Sequence, residues 1–592
     1  MAVDKGVVAT LSDTVAACGD TVLGPQHKSL PPAAWGLTVR EYLATAPHLD
    51  ELQTPILTMD RSALDANRAV MADWARAAGV RLAPHGKTSM SPQLWKEQLD
   101  AGAWAITLAT GWQVQIGRAL GLGRILLANA LLDPVALRWA AAEIERDPNF
   151  ELYSWVDGVD SVREMERHLE SAPVHVKLNV IVELGGPHGR TGARGLAAAH
   201  EVADAVHKSS RLRLAGVGGY EGALAHDRTP EGLAAVRHYL DEIAILHQEL
   251  AAAGRYDEFI GGPGVAADHT SPRHPGTLSA GSDQVAAYPG HEHAGPMGGS
   301  STGMGKTAGS AEEAAPGSAA NGLRESAIGA RAETRAAGLR EAAVGAAGGG
   351  TPGAPGGTAR RHSGAGSAGI DSDAVDPGGE NAGLTGGPGA SRADAAVGAS
   401  DAGRACGGRA AIVTAGGSAY PDLVVERLAG LADEGGAHGV PTAVVLRSGA
   451  YLVHDDGFYS GISPLAAGRS EHPLRSAMHG WARCVSRPEV ELALLDAGKR
   501  DLPFDEGLPV PQRMAGPASM PLPEGARVSA LNDQHTFLRL PGGSDTDIPV
   551  GSVVRLGLSH PCTAFDKWRL IPVIDDAEAE RPLVVGFLPT YF

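Results

Sequence analysis

Between Thr54 and Gly222 the sequence alternates short apolar runs with amphipathic helical patterns, and this alternation constrains the fold more than any other feature. Runs with strand character are Arg81–Ala83, Ala105–Ala109, Arg124–Ala128, Leu152–Val156, Val174–Val182 and Leu214–Gly219. Helical patterns lie between them at Gln113–Leu120, Pro134–Ile144 and Ser161–Leu169, and a long helix is expected from Glu231 to Ala253. Apolar strands joined by helices form parallel βαβ units. Their number predicts an α/β fold of the (β/α)8 TIM-barrel type rather than a doubly wound sheet. No GxGxxG follows the first strand, which weakens a dinucleotide-binding reading.

The pattern stops at Gly261. From there to Gly408 the chain is Gly, Ala, Ser and Pro with scattered charge, and no aromatic residue occurs between Tyr288 and Tyr420. Such a segment cannot bury enough apolar surface to offset ordering entropy, so 261–408 reads as a disordered, low-complexity insertion. A transient helix near 322–345 is compatible with this. His291-Glu292-His293 lies inside the segment, without the fixed geometry a metal site needs. After His438 the apolar period shifts to two, in Thr442–Arg447, Ala450–Val453, Val528–Leu531, His535–Leu540, Ser552–Leu558 and Trp568–Val573. The expected organisation is an arm (1–50), a barrel (51–430) carrying the insertion, and a β-rich C-terminal domain (438–592). The arm suits dimer contacts or a cover over the site.

Several classes are disfavoured. The net charge of −18 opposes binding to a phosphate backbone. No apolar run approaches the roughly 18 residues of a membrane span. The four cysteines, Cys18, Cys406, Cys484 and Cys562, are scattered without a CxxC, which points to a reducing compartment, the cytoplasm.

Three windows carry chemistry. At the first, the strand ending at Ala83 runs into Pro84-His85-Gly86-Lys87-Thr88, and Ser91-Pro92 then starts a helix. Lys87 therefore sits at the mouth of a βα unit, where barrels keep their chemistry. A lysine there is either a solvated loop residue or an amine that bonds an aldehyde cofactor. At the second, Ala410–Thr414 leads into Ala415-Gly416-Gly417-Ser418 and a helix with Pro421 in its first turn. The backbone N–H groups of Gly416 and Gly417, with the Ser418 hydroxyl, suit a phosphate. At the third, His560-Pro561-Cys562 follows the strand Val553–Leu558. On an extended chain residues i and i+2 share a face, so imidazole and thiol can grip one metal, and an N/S pair favours zinc. Two ligands leave an open, catalytic shell. By itself an H-x-C pair also occurs as plain structure.

The window Pro84-His85-Gly86-Lys87-Thr88, after Thr54-Pro55-Ile56-Leu57-Thr58-Met59-Asp60 and Asn67, resembles the D-serine dehydratase / D-threonine aldolase group. These are pyridoxal-phosphate (PLP) enzymes of the alanine-racemase-like fold. The resemblance implies that Lys87 carries PLP and that Gly416, Gly417 and Ser418 hold its phosphate. Gly-Arg-Thr-Gly at 189–192 resembles the group's motif whose arginine, here Arg190, reaches the PLP ring; the preceding Gly186-Pro187-His188 implies a differently shaped loop. Tyr220, in Gly219-Tyr220-Glu221-Gly222, resembles the tyrosine packed near the cofactor, with a core tyrosine as the alternative. His560 and Cys562 match the dehydratases' metal pair, where the aldolases more often carry Asp at the second position. His535 is then a proton donor, a neighbour of the metal ligands, or a structural strand histidine; Asp566 is a weaker candidate, and Tyr451 can enter from the β-domain.

The function implied is PLP- and metal-dependent dehydration of a D-3-hydroxyamino acid such as D-serine, giving pyruvate and ammonia, in a homodimer. Retro-aldol cleavage to glycine and an aldehyde uses the same parts. Outside enzymes, a PLP-binding protein without turnover and an interaction protein built on the insertion complete the alternatives.

Overall fold

The computed structural model describes residues 9–170, 176–187, 189–260, 409–432, 439–516, 520–542 and 548–592, which belong to one folded unit. The expected disordered insertion, with His291-Glu292-His293 and Cys406, lies outside the described residues, as does His188.

Among the described residues, eighteen strands follow in chain order. Strand β1 spans Ile56–Asp60. The next are β2 (Arg81–Leu82), β3 (Ile106–Leu108), β4 (Arg124–Ala130), β5 (Glu151–Val156), β6 (Leu178–Gly185), β7 (Ala193–Arg194), β8 (Leu212–Gly219), β9 (Ala411–Ala415) and β10 (Thr442–Leu446). Then come β11 (Met478–Glu489), β12 (Leu492–Leu495), β13 (Val510–Met514), β14 (Arg527–Leu531), β15 (Thr536–Arg539), β16 (Val553–Gly557), β17 (Leu570–Ile574) and β18 (Val584–Pro589).

The first sheet runs β2-β10-β9-β8-β6-β5-β4-β3, every pairing parallel. It closes on itself through Trp104 N–H to Leu82 O (2.7 Å), Thr107 N–H to Pro84 O (2.8 Å) and a parallel bridge of His85 with Thr107. Each strand lies beside its successor, the arrangement of a (β/α)8 barrel. Ala83, Ala105, Leu126, Tyr153, Trp155, Ile181, Phe259, Ile412 and Val445 fill its interior. The expected long helix forms at Pro230–Ala252, capped by the Thr229 side chain.

The second sheet runs β14-β15-β12-β11-β1-β17-β18, with β16 on β11 and β13 on β16. Two expected boundaries shift. Thr442–Leu446, read as β-domain, is the eighth barrel strand, and Ala450–Leu452 is a short 3-10 helix. Ile56–Asp60, read as barrel, pairs antiparallel with β11 and parallel with β17 in the C-terminal sheet. Both runs are short, mostly apolar and buried throughout, and burial on both faces looks the same in either sheet. Asn67 ties the two sheets, its side chain bonding Leu452 O, Arg475 O and Arg475 N–H at 3.0, 2.7 and 2.8 Å. The N-terminal arm docks on the C-terminal sheet, with Val584 N–H bonding Pro47 O and Lys28 reaching Arg500 O. No helix among the described residues is long and apolar enough to cross a membrane.

Two enclosed imidazoles make the fold acid-sensitive. His247 bonds Thr442 Oγ1 at 3.0 Å, and burial lowers its pKa to about 4; burial, with Arg555 and Arg513 nearby, lowers that of His479 to about 3. The unfolded chain takes up these protons near pH 6.5 while the fold refuses them. Stability therefore holds above about pH 6.5 and falls toward pH 4, by up to about 3 kcal/mol for each residue. Thermal midpoints at pH 7 and 4.5 should show this drop, and a smaller one in His247→Gln. An equal drop in that variant contradicts the assignment.

Candidate active site

The barrel strands end on one face, and the functional side chains follow them. After β2 the chain makes a tight 3-10 turn, Gly86–Thr88, that presents Lys87. Only glycine fits at 86: a Cβ there would lie 2.5 Å from Ile106 and 2.6 Å from Trp95 Nε1, whose N–H bonds Gly86 O. The expected helix starts at Pro92, but Ser91 donates to Gln93 Oε1 (3.2 Å) instead of capping it. Lys87 is half-buried, and its amine makes no hydrogen bond or ion pair among the described residues. His85 beside it is held well below its ordinary pKa by burial and by the charges of Lys87, Arg447 and Arg190.

Across the cleft stands the C-terminal domain. Cys562 Sγ lies 3.3 Å from Thr88 Oγ1, next door to Lys87. Burial pushes the thiol up, but its bonds to His560 and Thr88 and the charges of His560 and Lys87 bring it below its ordinary value. His560 is raised to about 9, first by its bond to Cys562, against burial, and then by Asp505. Its Nδ1 meets Asp505 Oδ2 at 2.5 Å, and Asp505 Oδ1 accepts from the Thr563 hydroxyl at 2.7 Å. The extended geometry expected to bring the pair together is not what does so. His560 has φ +57° in the left-handed region, and Cys562 is the second residue of the helix Pro561–Phe565. Proline after His560 starts that helix, so a turn replaces the strand.

The third wall comes from β6, β8 and β9. Arg190 is exposed, with its guanidinium 4.7 Å over the ring of Tyr220. Tyr220 in turn feels the charge of Cys562 and abuts Gly417, where a Cβ would lie 3.0 Å from its ring. Glu183 lines a small pocket open to solvent with Arg190, Thr191 and Tyr220. Burial, eased by the Thr191 hydroxyl and Arg447, raises its carboxyl to about 7. Beneath them Arg447 is buried; it bonds Thr414 Oγ1 (2.7 Å) and Gly219 O, and its Nε has no hydrogen-bond partner among the described residues.

The glycine loop differs from expectation in one respect. The N–H groups of Gly416 and Gly417 already bond the fully buried carboxylate of Glu221, at 2.9 and 2.6 Å. A negative oxygen pair does sit on those amides, but the chain supplies it. Ser418 Oγ accepts from Ala450 N–H (3.1 Å), which leaves its own O–H free. It opens onto a cleft of about 250 Å³ shared with Ser448, His454, Tyr459 and the start of the helix Pro421–Leu428. Gly449 packs on the backbone of His85, so this cleft adjoins the Lys87 turn. Glu221→Gln gives one amide a donor in place of an acceptor. The expected loss is about 3 kcal/mol of unfolding stability, read by urea denaturation; an unchanged midpoint contradicts the role of Glu221.

These contacts and charges link Lys87, Arg190, Tyr220, His560 and Cys562, with Ser418 on the neighbouring cleft. His535 does not join them: the residue is exposed in the β14–β15 turn, where Asn532 N–H bonds its carbonyl. A hairpin turn was read as strand approach. Asp566 is exposed one turn beyond Cys562, and Tyr451 is buried with its hydroxyl on Gln98 Nε2 (3.1 Å). Sequence reasoning passed over Glu221, which stands beside Tyr220 in the quoted motif, and Asp455, in an Asp-Asp doublet. Asp505 has no local signal.

Comparison with known proteins defines the class first. A D-threonine aldolase from Filomicrobium marinum aligns with a TM-score of 0.52 at 18% identity, over 92% of this chain and 96% of that one. A D-threo-3-hydroxyaspartate dehydratase from Delftia sp. HT23 aligns at 0.52 and 16%, over 92% and 99%. An alanine racemase-like protein from Idiomarina loihiensis gives 0.51 and 13%, over 91% and 96%. These likenesses show the fold, a barrel with a C-terminal β-domain.

The family follows. Residues 477–574 match the "Putative serine dehydratase domain". A 3-hydroxy-D-aspartate aldolase of Paracoccus denitrificans is 26% identical over 235 residues, 39% of this chain and 59% of that one. A D-threonine aldolase of Arthrobacter sp. is 26% identical over 202 residues, 34% and 52%. The matched stretches thus span little more than half of these relatives' length. These stretches of the chain are thus similar to a serine dehydratase domain and to aldolases of 3-hydroxy-D-amino acids, in line with the resemblance read from the sequence.

Proposed function

We propose that this chain is a PLP- and metal-dependent lyase of D-3-hydroxyamino acids, with dehydration to a 2-oxo acid and ammonia as its reaction. The observation that carries the reading is that the Lys87 amine, with no hydrogen bond among the described residues, is near enough to Cys562 for its charge to lower the thiol, while Thr88 Oγ1 next to it lies 3.3 Å from Cys562 Sγ.

The residues fit both groups. For PLP there is a free amine, an aromatic wall at Tyr220, a guanidinium at Arg190, and the Ser418 hydroxyl at a helix start that suits a phosphate. For a metal, the His560 imidazole and Cys562 thiol are within hydrogen-bond reach, and Asp505 holds the other ring nitrogen, as a carboxylate does behind a ligating histidine. The described residues hold no group of three or more such ligands, so this is an open pair. An N/S pair favours zinc. Bound PLP supplies an electron sink at Cα, and a bound divalent ion supplies Lewis acidity at the 3-hydroxyl.

The chain's own residues do the rest. Lys87 Nζ takes the proton from Cα. Neutral His85 adds no charge beside that amine. His560 and Cys562 orient the 3-hydroxyl side of the substrate opposite Lys87. Loss of water leaves an enamine that hydrolyses to the 2-oxo acid and ammonia; D-serine gives pyruvate. Cys562 supports dehydration, because the aldolases of the group more often carry Asp there. One similar dehydratase structure is described as a cysteine-to-alanine mutant in its metal-free form.

Retro-aldol cleavage is the second reading, favoured by the names of the curated relatives. Incubation with D-serine, D-threonine and D-3-hydroxyaspartate, assayed for 2-oxo acid and for glycine, decides between them. The reading includes a homodimer, with exposed Trp112, Leu132 and Val135 around the barrel mouth as contact surface. It also includes the cytoplasm, supported by the absence of a disulfide among Cys18, Cys484 and Cys562, the cysteines of the described residues.

A further inference from the structure

One buried carboxylate links the two halves of the site. Asp455 follows the barrel strand β10 by nine residues and is only 1% exposed. Its Oδ1 accepts from Gly457 N–H (3.1 Å), Tyr459 N–H (2.8 Å) and Ser460 N–H (3.3 Å), the start of a one-turn helix. Its Oδ2 accepts from His560 N–H at 3.1 Å, in the loop after β16. That bond lands on the residue whose backbone is in the left-handed region. An ordinary side chain in that region is disfavoured and needs outside contacts to hold it. The junction is tight besides. Asp456 N–H bonds Leu558 O at 2.9 Å, and a Cβ on Gly457 would lie 1.7 Å from Ser559 Oγ.

We infer that Asp455 is the positioning residue of the metal pair: by holding His560 N–H it fixes the left-handed turn that sets imidazole and thiol side by side. The inference rests on the proposed metal reading and deepens it. Asp505 orients the ring from the outside, and Asp455 fixes the backbone that carries the ring. The same carboxylate holds the amide of Tyr459, whose ring feels the charges of Cys562 and Tyr220. One group thereby sets the cofactor wall and the metal wall relative to each other.

Asp455→Asn separates this role from plain stability. Asparagine Oδ1 still accepts from the helix amides, while its NH2 faces His560 N–H with a donor. Zinc is loaded into the full-length protein and withdrawn with a graded chelator, and bound metal is measured by mass spectrometry. The expected result is a zinc affinity at least about 10-fold weaker in a protein whose thermal midpoint falls but which still folds and binds PLP through Lys87. Equal zinc affinity in Asp455→Asn and wild type overturns the inference alone. A wild-type protein that binds no zinc overturns the metal reading and the inference with it. If Asp455→Asn does not fold, Asp455→Glu, which keeps the charge on a longer arm, gives the same reading: weakened zinc supports the inference, and wild-type affinity overturns it.

Discussion

Lys87→Ala leaves a protein that folds, binds no PLP covalently and loses lyase activity by about 10³-fold or more. Two jobs disappear together, the covalent anchor and the proton transfer at Cα. The fold tolerates the change because the amine bonds nothing among the described residues and the side chain is only half-buried. Thermal midpoints should therefore stay within a degree or two of wild type, while the visible absorbance near roughly 410–430 nm, expected for PLP on a lysine, is lost. Lys87→Arg tests the same point with charge retained; covalent attachment of PLP in that variant contradicts the assignment.

The second large effect belongs to the metal pair. His560→Ala and Cys562→Ala should each lower bound zinc and turnover by about 10²-fold or more, with PLP still attached at Lys87. Removing His560 also strips Asp505 of its partner and Cys562 of the bond that lowers its thiol. Cys562→Asp is the informative exchange. It keeps a ligand and supplies the residue more often found in the aldolases. The expected result is retained metal, with product shifted from 2-oxo acid toward glycine. Full dehydratase activity with no bound metal in either alanine variant contradicts the account.

Much of this site was legible in the sequence, for identifiable reasons. The turn that presents Lys87 is local chemistry, a strand stopped by proline and glycine before a proline-started helix, so it reads without tertiary knowledge. The glycine loop after β9 reads the same way. Its ligand does not, because Glu221 reaches Gly416 and Gly417 from the end of β8, 195 and 196 residues away in the chain. His560 and Cys562 were legible as a pair but not in their geometry, since φ +57° at a histidine is imposed by the distant Asp455. His535 shows the converse failure: a histidine at a strand start looks functional until the hairpin places it in solvent. The sheets follow the same rule. The helices and parallel strands of the barrel are periodic signals, whereas the partner of a five-residue apolar strand is a tertiary choice. Hence β1 and β10 sit in the sheets opposite to those expected.

The most direct test of the central claim is borohydride reduction of the PLP-loaded protein followed by peptide mass mapping. The account predicts one pyridoxyl group, on the peptide carrying Lys87, and protection of that site from reduction when a D-3-hydroxyamino acid is present but not its L-isomer. A label spread over surface lysines, or its absence from Lys87, would contradict it.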